Sequence, residues 1–133
     1  MSYRILVVDD SAVSRRMVCR AVIMSGLDVS EILEASNGQE ALDLLAKSWV
    51  DIVLADINMP VMNGAEMVRE MAKRDFMQVT PVIIISSEKS EKRMEELLGL
   101  GVHTYLGKPF RPEQIKQVVG EILRERKEAG GHG

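Results

Sequence analysis

Arg4-Ile5-Leu6-Val7-Val8-Asp9-Asp10 reads as a strand that ends in two acids. A continuous aliphatic run without polar alternation suits a strand covered on both faces. Three more runs have the same form. Asp51-Ile52-Val53-Leu54-Ala55 is followed by Asp56, Val82-Ile83-Ile84-Ile85 by Ser86, and His103-Thr104-Tyr105-Leu106-Gly107 by Lys108-Pro109. Parallel strands joined by right-handed crossovers carry all their carboxyl ends on one edge of a sheet. Three carboxylates, a hydroxyl and an ammonium are then expected to converge there. That is equipment for binding a divalent cation and handling a phosphoryl group.

Helical segments alternate with these runs. In 12–25, Val13, Met17, Ala21 and Met24 recur at helical spacing and Gly26 stops the segment. Residues 30–35 make a weaker second strand, and Asn37-Gly38 is a turn signal before a helix over 39–47 that carries Ala41, Leu44 and Leu45. A Met-rich helix is expected over 65–74, after a loop marked by Pro60 and Gly64. Ser90 caps the helix that carries Met94, Leu97 and Leu98. The last helix opens near Pro112, and its stripe of Ile115, Val118, Val119, Ile122 and Leu123 is amphipathic. Five strands and five helices in strict alternation predict an α/β fold, a doubly wound parallel sheet. One domain is expected over 1–127, with a flexible glycine-rich tail over 128–133.

The chain has 133 residues, 46% hydrophobic and 28% charged, which suits one soluble globular core. No run nears the ~20 apolar residues of a membrane span, so no membrane insertion is expected. Cys19 is the sole cysteine, so an internal disulfide is excluded and a reducing cytoplasm is the expected location. A net charge of −3 argues against nucleic acid as the main partner.

The strand-end set has a chemical logic. Crowded carboxylates repel one another, and a bound Mg²⁺ would relieve this. Mg²⁺ prefers one or two carboxylates, several waters and phosphate oxygens. A carboxylate can also be a nucleophile and form an aspartyl phosphate, a transfer governed by positioning and charge neutralisation.

Asp9-Asp10, Asp56-Ile57-Asn58-Met59-Pro60-Val61-Met62-Asn63-Gly64, Ser86 and Lys108-Pro109-Phe110 resemble the receiver domain of two-component response regulators, in particular its single-domain, CheY-like members. The likeness runs over roughly residues 3–126. It implies the flavodoxin-like (βα)5 fold with strand order 2-1-3-4-5. It implies Asp56 as phosphoacceptor from a histidine kinase or phosphotransfer domain, with Asp10, Asp56 and the Asn58 carbonyl as Mg²⁺ ligands and Asp9 acting through water. Lys108 would bind the phosphoryl group, with a cis bond to Pro109. Ser86 and Tyr105 would be the pair that rearranges on activation, Ser86 moving inward and Tyr105 turning in from solvent. Asn58 and Glu88 occupy positions that tune dephosphorylation, and both match the chemotaxis-type pair with a short-lived phosphoryl group. The surface of the fourth helix, fifth strand and fifth helix (α4-β5-α5 in the family's numbering) would bind a downstream target protein. The chain is expected to act alone and as a monomer, with dimerisation on phosphorylation as an alternative. Chemotaxis is the favoured setting, and a phosphorelay intermediate passing phosphate to another histidine domain is the alternative.

An enzyme is the rival class. Haloacid-dehalogenase-like phosphatases need a second aspartate two residues after the nucleophile, but Asn58 follows Asp56 at that spacing and Ser11-Ala12 follow the acidic pair. No chemistry on an external substrate is expected beyond self-phosphorylation and self-dephosphorylation. A flavin mononucleotide site is also disfavoured, because the first loop lacks a phosphate cradle. Plainer readings hold for other residues: the nine methionines as core packing, Cys19 as a small hydrophobe, and Arg15, Arg16 and Arg20 as a solvated helix face. Trp49 lies seven residues before Asp56, about 20 Å away at ~3.3 Å per residue. Its fluorescence should therefore change little on Mg²⁺ addition or phosphorylation. A strong Mg²⁺ quench that disappears in Asp10→Ala would contradict this.

Overall fold

The computed structural model describes residues 2–130, with side chains described through residue 125. Five strands form one parallel sheet in the order β2-β1-β3-β4-β5. They are β1 (Tyr3–Val8), β2 (Val29–Ala35), β3 (Ile52–Ala55), β4 (Val82–Ser86) and β5 (Thr104–Gly107). The helices are α1 (Ala12–Met24), α2 (Gly38–Lys47), α3 (Gly64–Lys73), α4 (Phe76–Val79), α5 (Glu91–Gly99) and α6 (Pro112–Gly130). This is the flavodoxin-like doubly wound arrangement.

Side-chain alternation along the strands divides the core in two. Ile5, Val7, Ile52, Leu54, Ile83 and Ile85 pack with Val18, Ala21 and Val22 of α1 and with Ile115, Val119, Ile122 and Leu123 of α6. Leu6, Val8, Val53, Ala55, Val82 and Ile84 meet the other layer, which includes Ala41 and Leu42 of α2, Met67, Val68 and Met71 of α3, and Leu97 of α5. A sheet buried on both faces accounts for the unbroken aliphatic runs.

The helices start where polar side chains can take up free N–H groups. Ser11, Asn37, Asn63 and Ser90 accept from Ser14, Glu40, Glu66 and Arg93. Asn63 and Glu66 complete a reciprocal capping box. A buried α3 face of Ala65, Met67, Val68 and Met71 then locks that helix to the sheet.

Two expectations are corrected. A single helical turn, α4, adds a sixth helix: Asp75 adopts φ +62°, and Phe76 and Met77 fold back onto the core. The buried face of α1 is Val18-Ala21-Val22, while Val13, Met17 and Met24 are exposed. That helix carries two apolar stripes, and the β-branched one fits against Ile5 and Val7. Among the described methionines, Met17 and Met24 are therefore surface residues and not core packing. The last helix, α6, runs to Gly130. Residues 131–133 of the expected tail lie outside the described residues. Cys19 is half-buried, and burial, reinforced by Glu34, pushes its thiol up to about 11. It is therefore a protonated, inert packing group at neutral pH.

Candidate functional site

Hydrogen bonds extend the sheet one residue past its strands and bring the strand-end side chains together. The Asp9 N–H donates to the Ala35 carbonyl at 3.0 Å, Asp56 to Val8 at 2.9 Å and Lys108 to Ser86 at 2.9 Å. Asp9 is buried. Its Oδ1 accepts the Ser11 N–H at 3.0 Å, and its Oδ2 accepts the Ser14 hydroxyl at 2.6 Å. Asp56 Oδ1 accepts the Ile57 N–H at 2.6 Å. The Lys108 ammonium sits between the acids, donating to Asp9 Oδ2 at 3.0 Å, Asp56 Oδ2 at 2.8 Å and Ser14 Oγ at 2.6 Å. These bonds engage all three ammonium protons. Burial works to lower the Lys108 pKa, but hydrogen bonds and charge from Asp56 and Asp9 outweigh it and hold the group above the ordinary lysine value. A cleft of about 300 Å³ opens beside it, lined by Ser14, Met17, Ser87, Lys108, Pro109 and Phe110. The Lys108–Pro109 peptide is cis.

The three carboxylates do not form the expected cluster. Asp9 is buried, whereas Asp10, at the bend that follows, is exposed. Among the described residues, no group of three or more His, Cys, Asp or Glu side chains is placed to hold a metal ion. Lys108 takes the space between Asp9 and Asp56. The donor chemistry still suits Mg²⁺: Asp10 and Asp56 offer carboxylate oxygens, Asn58 is exposed and offers its carbonyl, and an open edge leaves room for water. Asp9, with both oxygens already accepting hydrogen bonds, suits an outer position.

Ser86 is 1% exposed, and its Oγ accepts the Glu88 N–H at 3.2 Å. Tyr105 is partly buried, not out in solvent, and its hydroxyl donates to the Glu88 carbonyl. Burial first, then the charges of Glu88 and Asp56, push the phenol pKa up against a lowering bond from Ser86. Glu88 Oε2 is buried without a hydrogen-bond partner, and its Oε1 lies 3.9 Å from Arg93.

The loop from β3 to α3 is tightly drawn. The Met62 N–H reaches the Pro60 carbonyl at 2.7 Å across Val61, whose φ is +66°. Positive φ is costly for a β-branched residue, and Val61 is 81% exposed, so it has little packing to lose. Val61→Asn should therefore raise stability by about 1 kcal/mol, read as a higher midpoint in urea. An unchanged or lower midpoint would contradict the strain.

Two site residues escaped the sequence reading. Ser14 bridges Asp9 and Lys108. Arg15 donates to the Asp9 carbonyl at 2.7 Å and to Glu34 at 2.9 Å, so it braces the site and is not a solvated charge like Arg16 and Arg20. Their position in the first turn of a helix that starts right after the acidic pair was the available signal.

The profile of the response regulator receiver domain matches residues 5–120. The chain belongs to the response regulator receiver family. The receiver is 36% identical over 121 residues to a Campylobacter jejuni protein named as a chemotaxis protein CheY homolog, covering 90% of this chain and 92% of that one. It is 33% identical to chemotaxis protein CheY1 of Helicobacter pylori, over 90% and 96% of the two chains. The solved structure of the chemotaxis response regulator CheY4 of Vibrio cholerae superposes with a TM-score of 0.80 at 31% identity, over 92% of this chain and 99% of that one. Receivers of this kind are signalling proteins in two-component systems and not enzymes with an external substrate, and they generally bind Mg²⁺.

Proposed function

We propose that this receiver, residues 1–127, is a stand-alone response regulator that takes a phosphoryl group on Asp56 and passes the signal on by docking. The observation that carries the reading is the Lys108 ammonium held 2.8 Å from Asp56 Oδ2 and 3.0 Å from Asp9 Oδ2 on one sheet edge. It places a positive charge where a phosphoryl group on Asp56 would need one. An Asp56 oxygen attacks the phosphorus of a phosphohistidine, the P–N bond breaks, and the histidine nitrogen keeps the electron pair and takes a proton. Asp10, Asp56 and the Asn58 carbonyl would hold Mg²⁺, with Asp9 behind a water. When bound, the ion supplies neutralisation of phosphoryl charge. Lys108 serves a second oxygen and Ser86 a third.

The switch is a two-state equilibrium. Ser86 drawn toward the phosphoryl group would favour Tyr105 turned further inward, and the shape of the α5-β5-α6 surface would follow. That surface is the proposed seat of the target protein, and a histidine kinase or phosphotransfer domain is the proposed donor, both in the cytoplasm. The CheY names of the relatives favour a chemotaxis setting. Asn58 and Glu88 favour a short phosphoryl lifetime, and a long-lived adduct would point instead to a phosphorelay intermediate.

Acetyl phosphate with Mg²⁺ should add one phosphoryl, about 80 Da by intact mass. The adduct should be absent in Asp56→Asn. No adduct on the wild-type chain, or the same adduct on Asp56→Asn, would refute the assignment.

A further inference from the structure

We propose that Ser14 is a positioning residue that fixes the Lys108 ammonium in the place from which it meets a phosphoryl group on Asp56. The inference rests on Asp56 being the phosphoacceptor. Asp9, Ser14 and Lys108 close a ring: Ser14 Oγ donates to Asp9 Oδ2 at 2.6 Å, and Lys108 Nζ donates to Ser14 Oγ at 2.6 Å and to Asp9 Oδ2 at 3.0 Å. Both bonds of the Ser14 hydroxyl go to residues outside its own helix. Its backbone N–H is capped separately by Ser11 Oγ at 3.1 Å. The hydroxyl is thus not needed to build α1, and its position is fixed by the helix cap and by Arg15, which ties the same turn to the Asp9 carbonyl.

A lysine is a flexible stem with three rotatable donors. On Lys108 the ring fixes two of them, and the third faces Asp56 Oδ2. When the phosphoryl group arrives, that third proton and the charge are already aimed at it, so little reorganisation is needed during transfer. Without the Ser14 hydroxyl, Lys108 keeps its charge and both acids but loses one of the two bonds that set its direction.

The experiment compares wild type, Ser14→Ala and Ser14→Thr, with matching thermal melts to establish folding. In the unphosphorylated protein, the ¹H–¹⁵N ammonium resonance of Lys108 is assigned by its loss in Lys108→Arg. It should be present in wild type and Ser14→Thr, and broadened away or clearly shifted in Ser14→Ala. With acetyl phosphate and Mg²⁺, adduct formation should slow roughly three- to ten-fold in Ser14→Ala, the scale of one hydrogen bond, and return near the wild-type rate in Ser14→Thr. An unchanged Lys108 resonance or a wild-type rate in Ser14→Ala overturns the proposal, as does a folded Ser14→Thr that stays as slow as alanine. An adduct that survives in Asp56→Asn refutes the phosphoacceptor assignment instead. The resonance, which needs no phosphorylation, then still decides whether Ser14 holds Lys108.

Discussion

Gly64→Ala should lower stability by about 3 kcal/mol, the upper range for a side chain forced into filled space. A Cβ at Gly64 would collide with the Asp56 carbonyl oxygen and lie 2.9 Å from the Ile57 Cα. Both are backbone atoms and cannot swing aside as the end of a flexible side chain can. The Gly64 N–H also donates to the Ile57 carbonyl at 2.7 Å, so the loop is pinned where the methyl group would push. Relief must displace Asp56 itself, so phosphorylation of the variant should slow even when it is folded at low temperature. Gly99→Ala supplies the contrast. It lies in α5 with nothing within 4 Å of its Cβ, and it should be neutral or gain up to roughly 1 kcal/mol from helix propensity. Equal urea midpoints for Gly64→Ala and wild type would show that the backbone yields more cheaply than its packing indicates.

Lys108→Ala should slow phosphorylation by about two orders of magnitude, the usual cost of losing one preorganised charge at a reacting oxyanion. Its effect on folding follows from the same contacts. Lys108 is the cation shared by Asp9 and Asp56, whose side chains are 3% and 14% exposed. Removing it leaves two largely buried like charges facing one another. A fully buried pair broken in this way costs about 3–5 kcal/mol, and partial solvent access reduces the expectation to about 2 kcal/mol. The pH dependence has a definite sign. The folded-state pKa of Lys108 is raised, so its stabilisation is complete below the unfolded value near 10.4 and is lost as pH rises through the folded value. Wild type and Lys108→Ala should therefore converge in stability in strong alkali. A constant difference between the two up to the onset of general alkaline unfolding would place the stabilisation in the lysine stem instead of its charge.

Much of this molecule is written in its sequence because a parallel sheet buried on both faces leaves aliphatic runs no freedom. Ile5–Val8, Ile52–Ala55 and Val82–Ile85 could be recognised by composition alone, and the polar residue after each marks the edge where they end. The rest depended on choices that spacing does not encode. The two apolar stripes of α1 have the same period, and only the fit of Val18 and Val22 against the sheet selects one. Ser14 and Arg15 look like ordinary helix residues until the helix is docked. Asp9 and Asp10 are neighbours in sequence, but only the folded chain shows that Asp9 is buried and that Asp10, at a bend, is exposed. Tyr105 could be assigned to a strand but not to a rotamer, which is decided by the Glu88 carbonyl. The turn of α4 lies between Lys73 and Val82, where Asp75 takes a conformation that its residue type allows but does not require.

The outward stripe of α1 has a chemical consequence of its own. Met17 and Met24 are 61% and 63% exposed, while Met67 and Met71 are fully enclosed. Dilute peroxide will meet the first pair long before the second, and conversion to sulfoxide will turn oily thioethers into polar, stereogenic groups. Among the described residues, these two oxidant-sensitive sulfurs sit on the protein's skin, one of them lining the cleft beside Lys108, where their chemistry can change without disturbing the fold beneath.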